Sequence, residues 1–384
     1  MKIVAAIDSF KGSLSTMQAG NAVKQGVHRV YPDAEVAVCP LADGGEGTVS
    51  ALTRENEEQL VTVTVTGPLG APVRASYGIA NDISGGQTTA IIEMAAAAGI
   101  TLIDASERDP LRTTTYGVGE LIRDAIGRGC RNFIVGIGGS ATNDCGIGML
   151  SALGYVFTDE HGAPCSRGAE DVGRIRAIDR SKVLPALSEC TFHVACDVRN
   201  PLCGENGCSA IYGPQKGATA VTIPLMDGYL RDFAALTAKE FGVDRAETPG
   251  VGAAGGLGFA FLSYLNAILE PGIDLVIRET GLENEIRDAD LVVTGEGRLD
   301  AQTCMGKAPA GVAAIAAKYG VPVIAFSGCV TDDARMCNAH GIHAFFPVLR
   351  TVTTLEEAMD TENASHNMAD TAEQVFRLIK TVKG

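Results

Sequence analysis

ADLVVTGEGRLDAQTCMGKAPAGVAAIAAKYGVPVIAFSGCVTDDARMCNAHGIHAFFPV, residues 289–348, decides the fold. Its apolar run Asp290–Thr294 predicts a strand, Pro309–Tyr319 a helix, Val321–Phe326 a strand, Asp332–His340 a helix and Ala344–Val348 a strand. Strands and helices alternating in this way build a parallel sheet with helices on both faces. The start of the chain carries the same rhythm. Lys2–Ile7 is apolar and β-rich, and Ser15 with Gln18 forms a capping-box pattern. Val23, Val27 and Val30 keep helical spacing until Pro32, and Glu35–Cys39 reads as a second strand. An opening βαβ unit of this size is too small to stand alone, so it is expected to join the C-terminal third.

At Gln59 the texture changes. Val61, Val63 and Val65 alternate with Thr62, Thr64 and Thr66, as in a half-buried strand, and Gly67-Pro68-Leu69-Gly70 turns the chain toward a partner at Val73–Ile79. Antiparallel pairing breaks the βα rhythm and marks a boundary near residue 60. The expected class is α/β: one parallel-sheet domain from residues 1–60 and 275–384, and a second α/β domain, residues 61–274, inserted between them.

The chain has 384 residues, with 46% hydrophobic and 20% charged, a globular composition of about two or three domains. The balance of 31 basic against 46 acidic residues gives a net charge of −15, which repels nucleic-acid backbones and anionic membranes. Aromatics are only 5%, with no Trp, so stacking platforms for single-stranded nucleic acid are missing too. The 11 cysteines form no CxxC and no zinc spacing, and no apolar run reaches a membrane-spanning length. The expectation is a cytoplasmic protein with reduced thiols. Within such a negative field, each basic residue beside a glycine-rich loop gains weight as an anion ligand.

Five polar loops stand out, most of them after an expected strand, where open α/β sheets bind ligands. The first, Asp8-Ser9-Phe10-Lys11-Gly12-Ser13, joins a carboxylate, a hydroxyl and an ammonium. The second, Asp43-Gly44-Gly45-Glu46-Gly47, sets three glycines around two acids. The third, Gly136-Ile137-Gly138-Gly139-Ser140-Ala141-Thr142-Asn143-Asp144, reads as an anion nest of backbone N–H groups leading into a helix N-terminus, with Asp144 a metal ligand or a cap. The fourth pairs Asp197 and Asn200 with Gly213-Pro214-Gln215-Lys216-Gly217, and Asp197 could be a base or a Mg²⁺ ligand. The fifth, Thr294-Gly295-Glu296-Gly297-Arg298-Leu299-Asp300, precedes Gly306-Lys307. Arg108 and Arg112 lie in a sixth polar stretch. Acids, cations and glycines together suit a metal-bound polyphosphate and phosphoryl transfer.

Two motifs fail on inspection. Gly306-Lys307 lacks the P-loop glycine, since Ala301 stands there, and Ala308 replaces Ser/Thr; Gly250–Gly255 spells GxGxxG with no strand before it. Gly136–Ala141, with Asp159 at the end of the expected strand Tyr155–Thr158, keeps an NAD(P)-dependent dehydrogenase open as an alternative. A non-catalytic sensor of a small phosphorylated acid is another.

Taken in order, IDSFKGS (7–13), ADGGEGT (42–48), RDPLRTTTYGVGELI (108–122), GIGGSATNDCGIGM (136–149), ACDVRNPLCGENG (195–207), YGPQKGA (212–218), PGVGAAGGLG (249–258) and TGEGRLDAQTCMGKAP (294–309) resemble the bacterial glycerate kinases that phosphorylate O2. Departures are small: Cys145 stands where a glycine is expected, and Cys304 where many relatives differ. The resemblance implies a flavodoxin-like domain from both chain ends with an inserted mixed-sheet domain. It also implies ATP and Mg²⁺, D-glycerate as acceptor, and a supply of glycerate from glyoxylate or aldarates. On that footing Gly138, Gly139, Ser140, Ala141, Thr142, Asn143 and Lys216 are expected on the ATP phosphates, and Lys11 and Lys307 on the transferring phosphoryl. Asp8, Ser9, Arg108, Asn200 and Arg298 are expected on glycerate, with Arg108 facing its carboxylate. Asp197 or Asp43 would be the base, and Asp144, Glu296 and Asp300 the Mg²⁺ ligands. The expected partners are small molecules, with neither nucleic acid nor membrane; a homodimer and a glycerate 3-kinase regiochemistry stay open.

Overall fold

The strand Lys2–Ile7 (β1) is buried at every position after its first, as a strand covered on both faces must be. A computed structural model, describing residues 1–42, 44–45, 47–80, 88–304 and 306–383, shows what covers it. The other strands are β2 (Glu35–Val38), β3 (Leu60–Thr66), β4 (Pro72–Ala80), β5 (Thr89–Glu93), β6 (Asn132–Gly136), β7 (Val156–Thr158), β8 (Ala177–Asp179), β9 (Thr191–Ala195), β10 (Ile268–Glu270), β11 (Leu291–Leu299), β12 (Val323–Val330) and β13 (Ala344–Pro347). The chain divides into two compact units: Met1–Asp43 with Ser50–Glu55 and Ile273–Gly384, and Gly44–Val49 with Asn56–Gly272.

In the first unit the sheet runs β13-β12-β11-β1-β2, every neighbour parallel. Counted within the unit this is the flavodoxin-like order 2-1-3-4-5, whose direction of winding reverses between β1 and β11. Alternate side chains of β1 serve opposite faces. Ile3, Ala5 and Ile7 pack with Val293, Phe326 and the helices Thr16–His28 and Thr361–Lys383, through Val23, Val27, Met368 and Phe376. Val4 and Ala6 pack with Val292, Val323, Ile277 and Val312 on the other face. The two helices of the first face approach closely at Gly26, where a Cβ would fall 2.2 Å from the Ala369 carbonyl oxygen. The Ser15–Gln18 capping box forms as its spacing requires. The expected helix Asp332–His340 is instead a 3₁₀ turn, Asp332–Arg335, followed by the short helix Met336–Ala339.

In the second unit the order is β10-β9-β6-β5-β4-β3. β3, β4 and β5 are antiparallel neighbours, while β5, β6, β9 and β10 run parallel, so the sheet is mixed. The Val/Thr alternation does pair with 72–80, in the register Val65↔Val73. The parallel part places the ends of β5, β6, β9 and β10 along one edge. Phe133 on β6 stacks on Phe192 of β9 at 4.7 Å, and Tyr155, Phe157, Phe233 and Tyr264 close the core. β7 and β8 form a separate two-stranded ribbon. No helix among the described residues is long and apolar enough to cross a membrane.

Candidate active site

The winding reversal of the first sheet leaves a crevice beyond the ends of β1 and β11. A cavity of about 480 Å³ lies there. Its polar lining includes Asp8, Ser9 and Lys11 after β1 and Glu296, Arg298, Asp300 and Lys307 from β11 onward. The turn after β1 is tight, with Ser13 N and Leu14 N donating to the Phe10 carbonyl at 2.8 and 3.1 Å around Gly12, whose φ is +82°. Gly12 is the residue that such a φ calls for.

Glu296 is 8% exposed. Its Oε1 accepts from Thr303 Oγ1 at 2.6 Å, and Lys307 Nζ lies 3.4 Å from Oε2. Burial pushes the Glu296 carboxyl upward, against the Thr303 bond and the Lys307 charge. Asp300 sits between cations, 3.4 Å from Arg298 Nε and 3.9 Å from Lys307 Nζ, and its Oδ1 accepts from Gln302 N and Thr303 N. Seven of the residues singled out in the sequence thus gather in one pocket.

The second unit gathers a different set. Loop 136–144 leaves β6 with Gly138 and Gly139 exposed and residues 140–144 buried. Lys216, only 2% exposed, reaches into it, donating from Nζ to Ser140 Oγ at 2.7 Å and to the Thr142 carbonyl at 2.6 Å. Burial lowers the Lys216 ammonium to about 8. Lys216 therefore spends its charge on the loop's own oxygens. Ala141 N donates to the Ala98 carbonyl at 2.9 Å, so that N–H is already used, and Asn143 Nδ2 donates to Ser209 Oγ at 3.0 Å. Thr142 Oγ1 and Asn143 Oδ1 are buried without a partner among the described residues.

Asp144 is fully buried. Its Oδ2 accepts from Thr115 N, Thr115 Oγ1 and Gly148 N, and its Oδ1 from Gly146 N, at 2.8–3.3 Å. Burial raises its pKa while those donors pull it down. With both oxygens engaged, this carboxylate organises the loop and does not fit a metal ion that keeps water and phosphate ligands. Behind the loop lies the segment dismissed as a stray GxGxxG. Ala254, Gly255 and Gly256 are all left-handed, and a Cβ on Gly255 would fall 2.1 Å from the Thr142 carbonyl oxygen. Cys145, at φ +51°, takes a conformation that favours glycine, in keeping with the residue expected there.

The remaining candidates of this unit come from other segments of the chain. Asp197, exposed after β9, accepts from Gly272 N at 2.9 Å. Asn200 is spent internally, its Nδ2 on the Asn206 carbonyl and its Oδ1 on Tyr212 Oη. Arg108 is half-buried, with Nη1 3.4 Å from the Gln215 carbonyl and a buried Nε that has no partner among the described residues. The Gly44–Val49 segment packs on this edge: Gly47 N and Val49 N donate to Glu93 Oε1, and a Cβ on Gly136 would fall 2.5 Å from the Gly44 carbonyl oxygen. Asp43 and Glu46 lie outside the described residues. Sequence reading missed Glu93 and Thr115, since neither sits in a glycine-rich loop; only their places at the end of an apolar strand and in RTTTYG could have drawn notice.

Two expectations are corrected. No helix N-terminus follows Gly139 directly, because the next helix, Ile147–Ala152, begins only after Gly146, so the loop has no adjoining helix dipole. A dinucleotide fold needs that helix. It also needs its acid at the end of a neighbouring sheet strand, whereas Asp159 follows β7 in the separate ribbon and pairs with Arg174 at 2.8 Å. The dehydrogenase alternative has no geometry to stand on.

Among the described residues no three His, Cys, Asp or Glu side chains cluster as a metal site. Glu296 and Asp300 nonetheless share the first pocket, and Mg²⁺ characteristically uses one or two carboxylates with substrate phosphates and water. That donor set fits.

Comparison with known proteins gives a consistent picture. The model of the glycerate kinase family matches residues 3–380. Glycerate 2-kinase of Escherichia coli K12 is 46% identical over 376 residues, covering 97% of this chain and 98% of the relative. A glycerate kinase of Bacillus subtilis 168 is 45% identical over 383 residues, covering 100% and 99%. A crystal structure from Salmonella typhimurium LT2, whose name carries the words glycerate kinase 2, superposes with a TM-score of 0.90 at 45% identity, covering 100% of this chain and 99% of that one.

Proposed function

The chain belongs to the glycerate kinase family, and from that premise we propose that it transfers the γ-phosphoryl group of ATP to O2 of D-glycerate, giving 2-phosphoglycerate and ADP. The observation that carries the reading is the gathering of Lys11, Arg298 and Lys307 with Glu296 and Asp300 in one pocket at the winding reversal of a flavodoxin-like sheet. In a protein of net charge −15, Lys11, Arg298 and Lys307 offset the acids Asp8, Glu296 and Asp300 of the same lining and so remove the local repulsion that a polyphosphate would meet.

Phosphoryl transfer asks for positioning and for neutralised oxygens. Lys11 and Lys307 neutralise the transferring phosphoryl, and Arg298 with Asp8 and Ser9 orients a polar ligand in the same pocket. In the second unit, Gly138 and Gly139 turn their backbone toward solvent on a loop that Lys216, Asp144 and Gly255 hold in shape, a surface suited to anionic oxygens. Ser140, Thr142 and Asn143 support it from beneath. Arg108 offers a planar guanidinium to the glycerate carboxylate. As the O2 oxygen bonds to phosphorus and the bond to the ADP oxygen breaks, the hydroxyl proton passes to a carboxylate, and Asp197 is the second unit's candidate for that base. Glu296 and Asp300 would hold Mg²⁺, which when bound supplies further neutralisation of phosphate charge.

The test is a proton-coupled ³¹P spectrum of the purified protein with MgATP and D-glycerate. A new phosphomonoester doublet reports phosphorus on the O2 methine and supports the reading. A triplet reports the O3 methylene and makes the protein a glycerate 3-kinase. No new signal overturns the kinase assignment for glycerate.

A further inference from the structure

The polar half of the first-unit pocket accounts for phosphates, Mg²⁺ and a small hydroxy acid, but it is only half of the pocket. The rest of the lining is largely apolar, and this wall includes Phe10, Leu14, Val348, Leu355 and Met359. Glycerate has nothing to place against such a wall, because each of its three carbons carries a hydroxyl or belongs to the carboxylate. Phosphates and a divalent cation are worse guests still, since an apolar surface offers them no compensation for lost hydration. The wall therefore serves a part of a ligand that is flat or bulky and largely apolar.

We infer that this wall seats the purine ring of ATP, with Leu355 and Met359 contacting its face. The inference rests on the kinase reading and adds to it the place and the contacts of the nucleoside. Three further observations bear on it. Leu355 and Met359 stand one turn apart on the helix Leu355–Met359, so their side chains share a face, yet Leu355 is 78% exposed and Met359 37%. Two aliphatic side chains on one face, lining a cavity and left uncovered, are what a planar ring would cover; a thioether is also a favourable neighbour for an aromatic ring. Asn367 lies on the same lining, and its amide provides both a donor and an acceptor, the pair that reads the edge of adenine elsewhere in recognition chemistry. The cavity of about 480 Å³ is also within the usual range for small-molecule and cofactor sites.

The experiment uses the full chain and two variants. Leu355→Asp changes an exposed residue, so the fold should be retained; Ala358→Trp fills the pocket beside it. Steady-state KM is measured for MgATP and for D-glycerate, and saturation transfer from protein methyls to H2 and H8 of adenosine is recorded by NMR. Both variants should raise KM for MgATP by about tenfold or more while KM for D-glycerate stays within about twofold, as expected when apolar contact with one ligand is lost. Saturation transfer to adenosine should be present in the parent and lost in both variants. The inference is overturned if the parent makes phosphoglycerate while both variants keep the parent KM for MgATP, or if only KM for D-glycerate moves. If the parent makes no phosphoglycerate at all, the kinase reading fails separately, and saturation transfer alone decides: transfer to adenosine that Leu355→Asp abolishes supports the seat, and its absence in the parent overturns it.

Discussion

Lys216 Nζ lies 2.6 Å from the Thr142 carbonyl oxygen and 2.7 Å from Ser140 Oγ, so a buried ammonium from loop 213–217 staples the glycine-rich loop of β6 from beneath. Burial lowers its pKa from 10.5 to about 8. Between those values the unfolded chain holds a proton that the folded chain has released, so this residue's contribution to stability is complete above about pH 10.5 and is lost as pH falls through about 8. Urea unfolding of the parent and of Lys216→Met should therefore diverge with rising pH across that window. The slope should be at most about 1.4 kcal/mol per pH unit. A pH-independent difference would show that Lys216 is not buried as described.

Asp144→Asn separates a structural carboxylate from a metal ligand. The amide places an NH₂ against N–H donors from Thr115, Gly146 or Gly148. Unfolding free energy should fall by about 1–3 kcal/mol, whether or not Mg²⁺ is present. Unchanged stability with a raised Mg²⁺ requirement would return Asp144 to the metal.

Gly255→Ala should be more damaging than a left-handed glycine alone explains. A Cβ at Gly242, φ +77°, meets nothing within 4 Å among the described residues, whereas at Gly255 it would meet the Thr142 oxygen at 2.1 Å. Gly242→Ala should cost about 1–2 kcal/mol, the backbone term. Gly255→Ala should exceed it, with a fall in kcat as the loop is displaced. Equal melting temperatures for the two variants would count against the buttress.

Asp197→Asn keeps the oxygen that accepts from Gly272 N and removes the basic carboxylate. If Asp197 is the base, kcat should drop by about 10²–10⁴ with little change in either KM. Retention of more than about a tenth of kcat excludes that role.

The first unit was legible because buried parallel strands are written as short apolar runs, and KIVAAI, LVVTG and VPVIAF are such runs between helical segments. The hairpin of β3 and β4 was legible from Val/Thr alternation ending at a Gly-Pro turn. The interior of loop 136–144 was not. Its shape depends on partners remote in sequence: Thr115 on Asp144, Lys216 on Ser140, and Gly255 against Thr142. A glycine-rich run after a strand looks the same whether a helix follows at once or only at Ile147. Lys216 showed its charge in the sequence but not its burial, so a staple read as a phosphate ligand. The loop Gly295–Asp300 needs no such remote partners to bring its acids and cations to a cavity, because its own strand and β1 frame that cavity.

The pairing of Ile3 with Leu291 has a consequence for biosynthesis. β1 is made early, and its central neighbour β11 is made last but for two strands. At ribosomal rates of about 5–20 residues per second, β1 waits roughly 15–60 s for that neighbour. Residues 56–272 need no such delay, since nearly all of the second unit is one continuous stretch. The nascent chain thus carries a completed insert between two halves of an unfinished sheet, with the β11 edge of the KIVAAI strand unpaired throughout. That interval is when β1 is open to chaperones and to mispairing, and the helix Thr361–Lys383 ends it by covering the sheet face that Ile3, Ala5 and Ile7 present.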